Sequence, residues 1–197
     1  MNTFDIVQLA TQQVANQKKA SAIGRIEKAG EHTCIPMQVT ANDNYLSFSF
    51  AVQSLVNGKA EHLYLPNLLV WKFDGNDEDE RDVQKKIVPI MILNIMGASP
   101  AELNALSVTD FSAFSAGIVK LFDKYKQAKK QFRLLVHYKT IKGEEQLYTS
   151  PYPNHILEGD SPFKMKFNPN LLISGANSSG VNKPQEVKST PLSDLPF

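Results

Sequence analysis

Apolar and polar residues alternate most strictly between Tyr45 and Gln53, and this alternation limits the fold more than any other feature of the sequence. One set of alternate positions is apolar throughout: Leu46, Phe48, Phe50 and Val52. A period of two is typical of an antiparallel strand with one buried face. Asn57-Gly58 follows closely and is the dipeptide most typical of a two-residue hairpin turn. The sequence therefore predicts a hairpin whose return strand covers residues 61–65.

Similar patterns predict strands before and after this hairpin. Residues 33–40 alternate and lead into Asn42-Asp43-Asn44, a sequence typical of a turn. Residues 68–73 are compatible with another strand or with the entry to the next element. Near the end of the folded part, a second hairpin is predicted around Lys142-Gly143, and a last strand follows it. The ranges of these late strands are 132–139, 145–149 and 163–167.

A helical block of about 50 residues separates the two groups of strands. Residues 82–97 have helical periodicity, with Pro89 expected to kink the helix or to end its first piece. Ser99-Pro100-Ala101-Glu102 has the spacing of a capping box. A further start at Ser107 or Thr109 predicts the longest helix, reaching to about Lys130. At the other end of the chain, residues 3–19 predict an N-terminal helix.

This order of elements predicts an α+β, mainly β fold with a small antiparallel barrel and a helical insertion at about 81–131. From about Ser174 to Ser193 the residues are mostly Ser, Gly, Asn, Pro, Lys and Thr. Such a segment has too little to bury to offset the entropy of ordering it. The sequence therefore predicts a folded domain at 1–170 and a disordered tail at 171–197.

Charge is unevenly distributed along a chain whose net charge is only +1. Between Lys120 and Lys142, eight basic side chains face one acidic side chain, a local charge of +7. Between Asp74 and Asp82, six acidic side chains face one arginine, a local charge of −5. Either segment is compatible with a solvated surface. The basic segment is equally compatible with an anionic partner. For the acidic loop a solvated surface is the favoured interpretation, and an internal decoy that competes for the basic face is the alternative.

Aromatic and basic residues are interleaved around the second hairpin. Binding of a single nucleic-acid strand needs cations for the phosphates and aromatic faces on which bases stack. The candidate nucleic-acid-binding residues are Trp71, Lys72, Lys126, Lys129, Lys130, Arg133, His137, Lys139, Tyr148 and Tyr152. Core packing is the alternative role for Trp71, and also for Tyr125 and Tyr138, which share the apolar faces.

The sequence ends on Asp194-Leu195-Pro196-Phe197, an apolar group beside an acidic residue. Because the preceding segment is predicted to be disordered, we expect this group to be exposed. A flexible linker followed by an acidic residue and Pro-Phe resembles the C-terminal tip of bacterial-type single-stranded-DNA-binding proteins. In place of the several acids usual there, this tip has one. The resemblance implies that these four residues bind replication and recombination proteins. Residues 132–139 with their return strand also resemble the closing strands of phage members of that group.

The resemblance also implies an oligonucleotide-binding (OB) fold, a five-stranded barrel that often has an insertion between its third and fourth strands. It implies a protein that coats single-stranded DNA during replication, recombination or repair and catalyses no reaction. No cofactor is expected. The compartment expected is the cytoplasm, that of a bacterial host if a phage encodes the protein. The sequence is compatible with a monomer or with a homo-oligomer.

Motifs for catalysis or for a metal are weak in this sequence. No Gly-rich phosphate loop, Cys-x-x-Cys or His-Glu-x-x-His occurs. His32-x-Cys34 is the nearest to a metal pair, and Cys34, the single cysteine, lies in a strand pattern typical of a buried inert thiol. Two alternatives remain. One is a metal-dependent nuclease or recombination factor using the carboxylates of Asp74–Asp82; the other is a protein-only adaptor or virion component.

Three further patterns concern location. One cysteine permits no intrachain disulfide, as expected in a reducing cytosol. The N-terminal residues lack the basic and apolar regions of a signal peptide. The longest apolar run, residues 87–96, is too short to span a bilayer, so no membrane partner is expected.

Overall fold

Seven strands form an antiparallel sheet in the computed structural model, which describes residues 24–56, 59–74 and 80–175. In chain order they are β1 Gly30–Ala41, β2 Tyr45–Val56, β3 Lys59–Tyr64, β4 Leu68–Trp71, β5 Phe132–Ile141, β6 Glu144–Thr149 and β7 Ile156–Glu158. Three α-helices lie between β4 and β5 in this part of the chain: α1 Glu80–Met96, α2 Pro100–Asn104 and α3 Phe111–Tyr125. The predicted α+β class with an inserted helical block is therefore confirmed.

The strand order is that of a Greek key. Hydrogen-bonded neighbours follow the path β3–β2–β1–β5–β6, while β4 also pairs with β2 and β7 with β5. Three strands joined in sequence are thus followed by a fourth, β5, which returns through the helical block to lie beside β1. β2 and β3 pair from Ala51↔Tyr64 to Val56↔Lys59. The hairpin predicted at Asn57-Gly58 is therefore present, although the two turn residues lie outside the described ranges.

The sheet curls so that its two ends approach each other. β1 pairs with β5 through residues 30–34 and with β2 through residues 35–41, with a register shift between Pro36 and Gln38. A bulge of this kind bends a strand and increases its twist. At the seam, the Thr149 hydroxyl of β6 donates a hydrogen bond to the Pro66 carbonyl, which lies between β3 and β4, at 2.5 Å. The result is a half-barrel.

Aromatic side chains fill the space between the sheet and the helices. The buried face of α3 contains Phe111, Phe114, Ile118 and Phe122. The ring centroids of Phe122 and Phe48 on β2 lie 6.0 Å apart. Those of Phe50 and Phe132 lie 5.3 Å apart and join β2 to β5 across the core. Phe48 and Phe50 are fully buried, so the apolar face predicted from the alternation in β2 packs into the core.

The helix boundaries differ from the predictions at the longest helix. Pro89, predicted to kink its helix or to end a first piece, lies inside a single 17-residue α1. Burial of Val88, Ile92 and Leu93 holds this helix in place despite the lost backbone donor. The capping box at Ser99 and Glu102 is present as predicted. The helix predicted from Ser107 or Thr109 starts instead after Asp110, whose carboxylate accepts from the Ala113 N–H at 2.6 Å; with 15 residues it is shorter than α1.

The last strand was predicted in the wrong place. Residues 163–167 form no strand, whereas β7 pairs with β5 from Phe132↔Glu158 to Leu134↔Ile156. The Arg133 side chain binds the carbonyl oxygens of Ser161 and Phe163 at 2.7 and 2.6 Å, so a side chain occupies acceptors that a strand would offer to a neighbour. The predicted N-terminal helix at 3–19 lies outside the described residues, as does the tail beyond residue 175.

Candidate nucleic-acid interface

The hairpin of β5 and β6 places three candidate residues on one face. His137 and Tyr148 are directly opposite in the ladder, and their ring centroids lie 5.7 Å apart. Lys139, two residues beyond His137, falls on the same face. Its ammonium lies 4.5 Å from the centroid of the Tyr148 ring. The turn that closes the hairpin has positive φ at Lys142 and Gly143, 52° and 84°, as a two-residue hairpin turn requires.

These side chains line a groove of about 400 Å³. Its other walls come from the chain after β6, including Pro151, Tyr152 and His155, and from Leu171 near the end of the described chain. Tyr152 exposes 51% of its surface, while His137 is buried, with 9% exposed. Burial raises the pKa of Tyr148, and the neighbouring Tyr152 raises it further. The phenol of Tyr148 is therefore neutral at physiological pH.

A buried serine–histidine pair supports the floor of this groove. The Ser150 hydroxyl and His155 Nδ1 lie 2.7 Å apart, and His155 Nε2 lies 3.2 Å from the Lys166 carbonyl oxygen. Burial lowers the pKa of His155, and His137 lowers it further, although the contact with the Lys166 carbonyl opposes both effects. In the neutral ring, Nε2–H donates to the Lys166 carbonyl oxygen, and Nδ1 accepts a hydrogen bond from the Ser150 hydroxyl. The hydrogen bond of the pair joins the two ends of the short loop from Ser150 to His155. Because Ser150 is fully buried, its hydroxyl is not an exposed nucleophile.

The sequence patterns did not point to Ser150 or His155. Both lie beside the Pro-rich stretch after β6, where no periodicity marks a buried position. The edge contact of His155 with Tyr152, at 5.8 Å between centroids and 89° between planes, shows what the pair does for the site. This contact supports the exposed ring of Tyr152 from one side.

Trp71 stands at the end of β4 and exposes 53% of its surface. Its ring makes an edge contact with Tyr45 on β2, at 5.4 Å between centroids. Trp71 and Tyr152 line a second, smaller pocket, and Pro151 and Tyr152 belong to both this pocket and the larger groove. The structure therefore brings Trp71, Tyr152, Tyr148, Lys139 and His137 onto one connected surface, which we call the aromatic track.

Lys72 lines a different cleft. This cleft has a volume of about 440 Å³, and Asp43 and Asp110 also line it. Its backbone N–H donates to the Asn44 carbonyl oxygen at 2.7 Å. Lys72 thus follows Trp71 in sequence but lines a cleft with two acidic residues and is absent from the lining of the aromatic track.

The lysines at 126, 129 and 130 lie at the opposite end of β5 from Lys139. From Phe132 to Lys139 the strand advances seven residues, roughly 23 Å at the rise of an extended chain. Lys126 forms an ion pair with Asp123 at 2.7 Å, and Lys129 ends a 3₁₀ turn with φ of 47°. The basic segment of the sequence is therefore divided between two regions of the surface.

The contacts described for the Arg133 side chain are all with other residues of the fold. One terminal nitrogen lies 2.9 Å from a Glu31 carboxylate oxygen, and the other binds the carbonyl oxygens of Ser161 and Phe163. Its side chain is only 17% exposed. This guanidinium joins β1, β5 and the segment after β7.

The carboxylates considered for metal chemistry are only partly described. Asp82 forms an ion pair with Lys85 at 2.6 Å and accepts from the Asp74 N–H at 2.8 Å. Both contacts lower the pKa of Asp82, the hydrogen bond from Lys85 most. Asp77 and Asp79 lie outside the described residues. Within residues 24–56, 59–74 and 80–175, no three His, Cys, Asp or Glu side chains are grouped as metal ligands would be.

Cys34 is buried in β1, and burial raises the pKa of its thiol. A buried protonated thiol is a weak nucleophile. In the part of the chain that the structure describes, no helix is both long and apolar enough to cross a bilayer.

The tip residues Asp194, Leu195, Pro196 and Phe197 lie outside the described ranges. The last described residues bind the start of β6. The Ser174 hydroxyl donates to one Glu145 carboxylate oxygen, and the Gly175 N–H donates to the other at 2.7 Å. The hydrogen bond from Ser174, followed by that from Gly175, lowers the pKa of Glu145. The chain beyond residue 175 therefore starts beside the hairpin that carries the aromatic track.

Comparison of this chain with protein-family models, with curated proteins and with solved structures gave no match. Any assignment of function therefore depends on the geometry of the aromatic track and on the topology of the sheet.

Proposed function

We propose that this protein binds single-stranded DNA along the aromatic track and coats it without strong sequence preference, catalysing no reaction. The observation that carries the proposal is the sharing of one connected surface by exposed aromatic rings and a lysine. Trp71 and Tyr152 each expose about half of their surface, and Lys139 lies against Tyr148. Each base stacked on an aromatic ring contributes about 1–3 kcal/mol, and every base has a face that can stack.

The topology of the sheet supports an OB-like barrel. The OB fold is a partly open Greek-key barrel of five strands. Here β3 and β4 both pair with β2, so together they correspond to one strand, and the five are β1, β2, β3 with β4, β5 and β6. The loops between the first two strands and between the last two, which bind ligands in OB folds, would be residues 42–44 and Lys142-Gly143.

The tail would act as a second functional element. Gly175, the last described residue of the predicted tail, lies beside Glu145, and Leu171 lines the groove. An acidic, aromatic tip tethered at this place would compete weakly with DNA for the track. Bound DNA would displace it, and Asp194–Phe197 would then be available to replication or recombination proteins.

Fluorescence anisotropy of a labelled oligo-dT tests this proposal. We expect the full chain to bind with an affinity that falls linearly on a log–log plot against salt, with a slope of about −0.7 for each phosphate neutralised. A chain ending at Gly175 should bind more tightly because the competing tip is gone. Absence of binding by either chain at low salt would contradict the proposal and favour the protein-only adaptor.

A further inference from the structure

A small pocket opens between β4, α1 and the residues that follow β6. Its volume is about 170 Å³. Trp71 and Tyr152 form exposed walls, whereas Val70 and Val88, also in its lining, are buried. Pockets for drug-sized ligands measure about 300–1,000 Å³, so this one has room for a single small ring system. Each aromatic wall is fixed by one edge contact, Trp71 with Tyr45 and Tyr152 with His155.

The lining of this pocket includes an amide side chain from α1. The half-buried Gln84 side chain lines the pocket from α1 and makes no hydrogen bond within the described chain. The neighbouring Lys85 is bound to Asp82 at 2.6 Å. An amide presents a donor and an acceptor side by side, as do the hydrogen-bonding edges of the nucleobases.

We propose that this pocket holds one nucleobase, inserted between Trp71 and Tyr152 and hydrogen-bonded on its edge by the Gln84 amide. The proposal rests on the proposed function, since the base belongs to the single strand bound along the track. It adds a property that coating alone does not require. At one position on the strand the protein distinguishes bases by their size and by their hydrogen-bonding edge.

Trp71 is the single tryptophan of the chain, so its fluorescence reports on the pocket directly. The experiment titrates the full-length protein with end-labelled hexanucleotides of dA, dC or dT and records label anisotropy and Trp71 emission together. We expect Trp71 emission to be quenched as binding saturates, and affinities to differ at least threefold between hexanucleotides. The Tyr152→Ala variant should bind about 5- to 150-fold more weakly, the equivalent of losing one stacked base.

The Gln84→Ala variant separates base recognition from stacking. It should still bind and still quench Trp71, while the affinity differences between the three hexanucleotides shrink to less than twofold. Gln38→Ala, which changes an exposed glutamine on β1, is the matched control and should leave both properties unchanged. Circular dichroism and thermal unfolding check that each variant folds.

Three results distinguish the pocket from the proposed function. Binding seen by anisotropy without any change in Trp71 emission would overturn the pocket and leave DNA binding in place. Quenching with base preferences that Gln84→Ala does not alter would overturn the role of the amide. Absence of binding to every hexanucleotide, and to longer oligo-dT, would overturn the proposed function and the pocket with it.

Discussion

Replacing Thr149 with valine tests whether the seam of the half-barrel holds the aromatic track in place. Thr149 is fully buried, and its hydroxyl donates to the Pro66 carbonyl oxygen at 2.5 Å, joining the two ends of the sheet. Valine keeps the volume and removes the donor. Loss of the bond leaves a carbonyl oxygen without this partner, at a cost of about 1–3 kcal/mol in the free energy of unfolding. At about 2–4 °C per kcal/mol, Tm should fall by about 2–12 °C.

Urea unfolding measures this change, with the m value expected to stay constant because the same surface is exposed. Thr149→Ser is the matched control, since it keeps the hydroxyl and loses a methyl group worth about 0.8 kcal/mol when buried. If the hydrogen bond dominates, Thr149→Val is the less stable of the two variants. A Thr149→Val protein within 0.5 kcal/mol of the wild type, with unchanged oligo-dT affinity, would refute this role for the seam.

Three further outcomes follow from the structure. Lys139→Gln should weaken oligo-dT binding and make the salt slope shallower by about 0.7. The control Lys164→Gln should change neither the affinity nor the slope. An unchanged slope for Lys139→Gln in the anisotropy series would show that Lys139 contacts no phosphate. Phe122→Ala should cost about 3–5 kcal/mol of stability in urea unfolding, because its fully buried ring packs on Phe48, and a loss below 1 kcal/mol would contradict this packing. The pKa of His155 in the folded state is below its ordinary value of 6.5. As the pH falls through this range, the unfolded chain therefore binds more protons than the folded chain. The free energy of unfolding should decrease from pH 7.5 to pH 5.5. Urea unfolding of His155→Gln at both pH values should show a smaller difference; an equal difference would exclude His155 as the source.

Local patterns in the sequence predicted the elements that local physics controls. The alternation in β2, the hairpin around Asn57-Gly58 and the capping box at Ser99 were all found where the sequence placed them. Each depends on side chains within a few residues of one another, so the period or the spacing alone contains the information. The same reasoning failed at residues 163–167, where a side chain 30 positions away binds the backbone.

The candidate site shows the limit of such reasoning. Composition selected aromatic and basic residues along a stretch of chain, but a strand separates the lysines at 126–130 from Lys139, and Arg133 is bound within the fold. Trp71 and Tyr152, 81 positions apart in the numbering, meet at one pocket because the Greek key brings β4 and the end of β6 together. The sequence alone therefore determined the elements that depend on short-range periodicity, and it supplied the residue types from which a site could be built. Which side chains share a surface was decided by the tertiary structure, because that depends on the closure of the sheet and on contacts between distant segments.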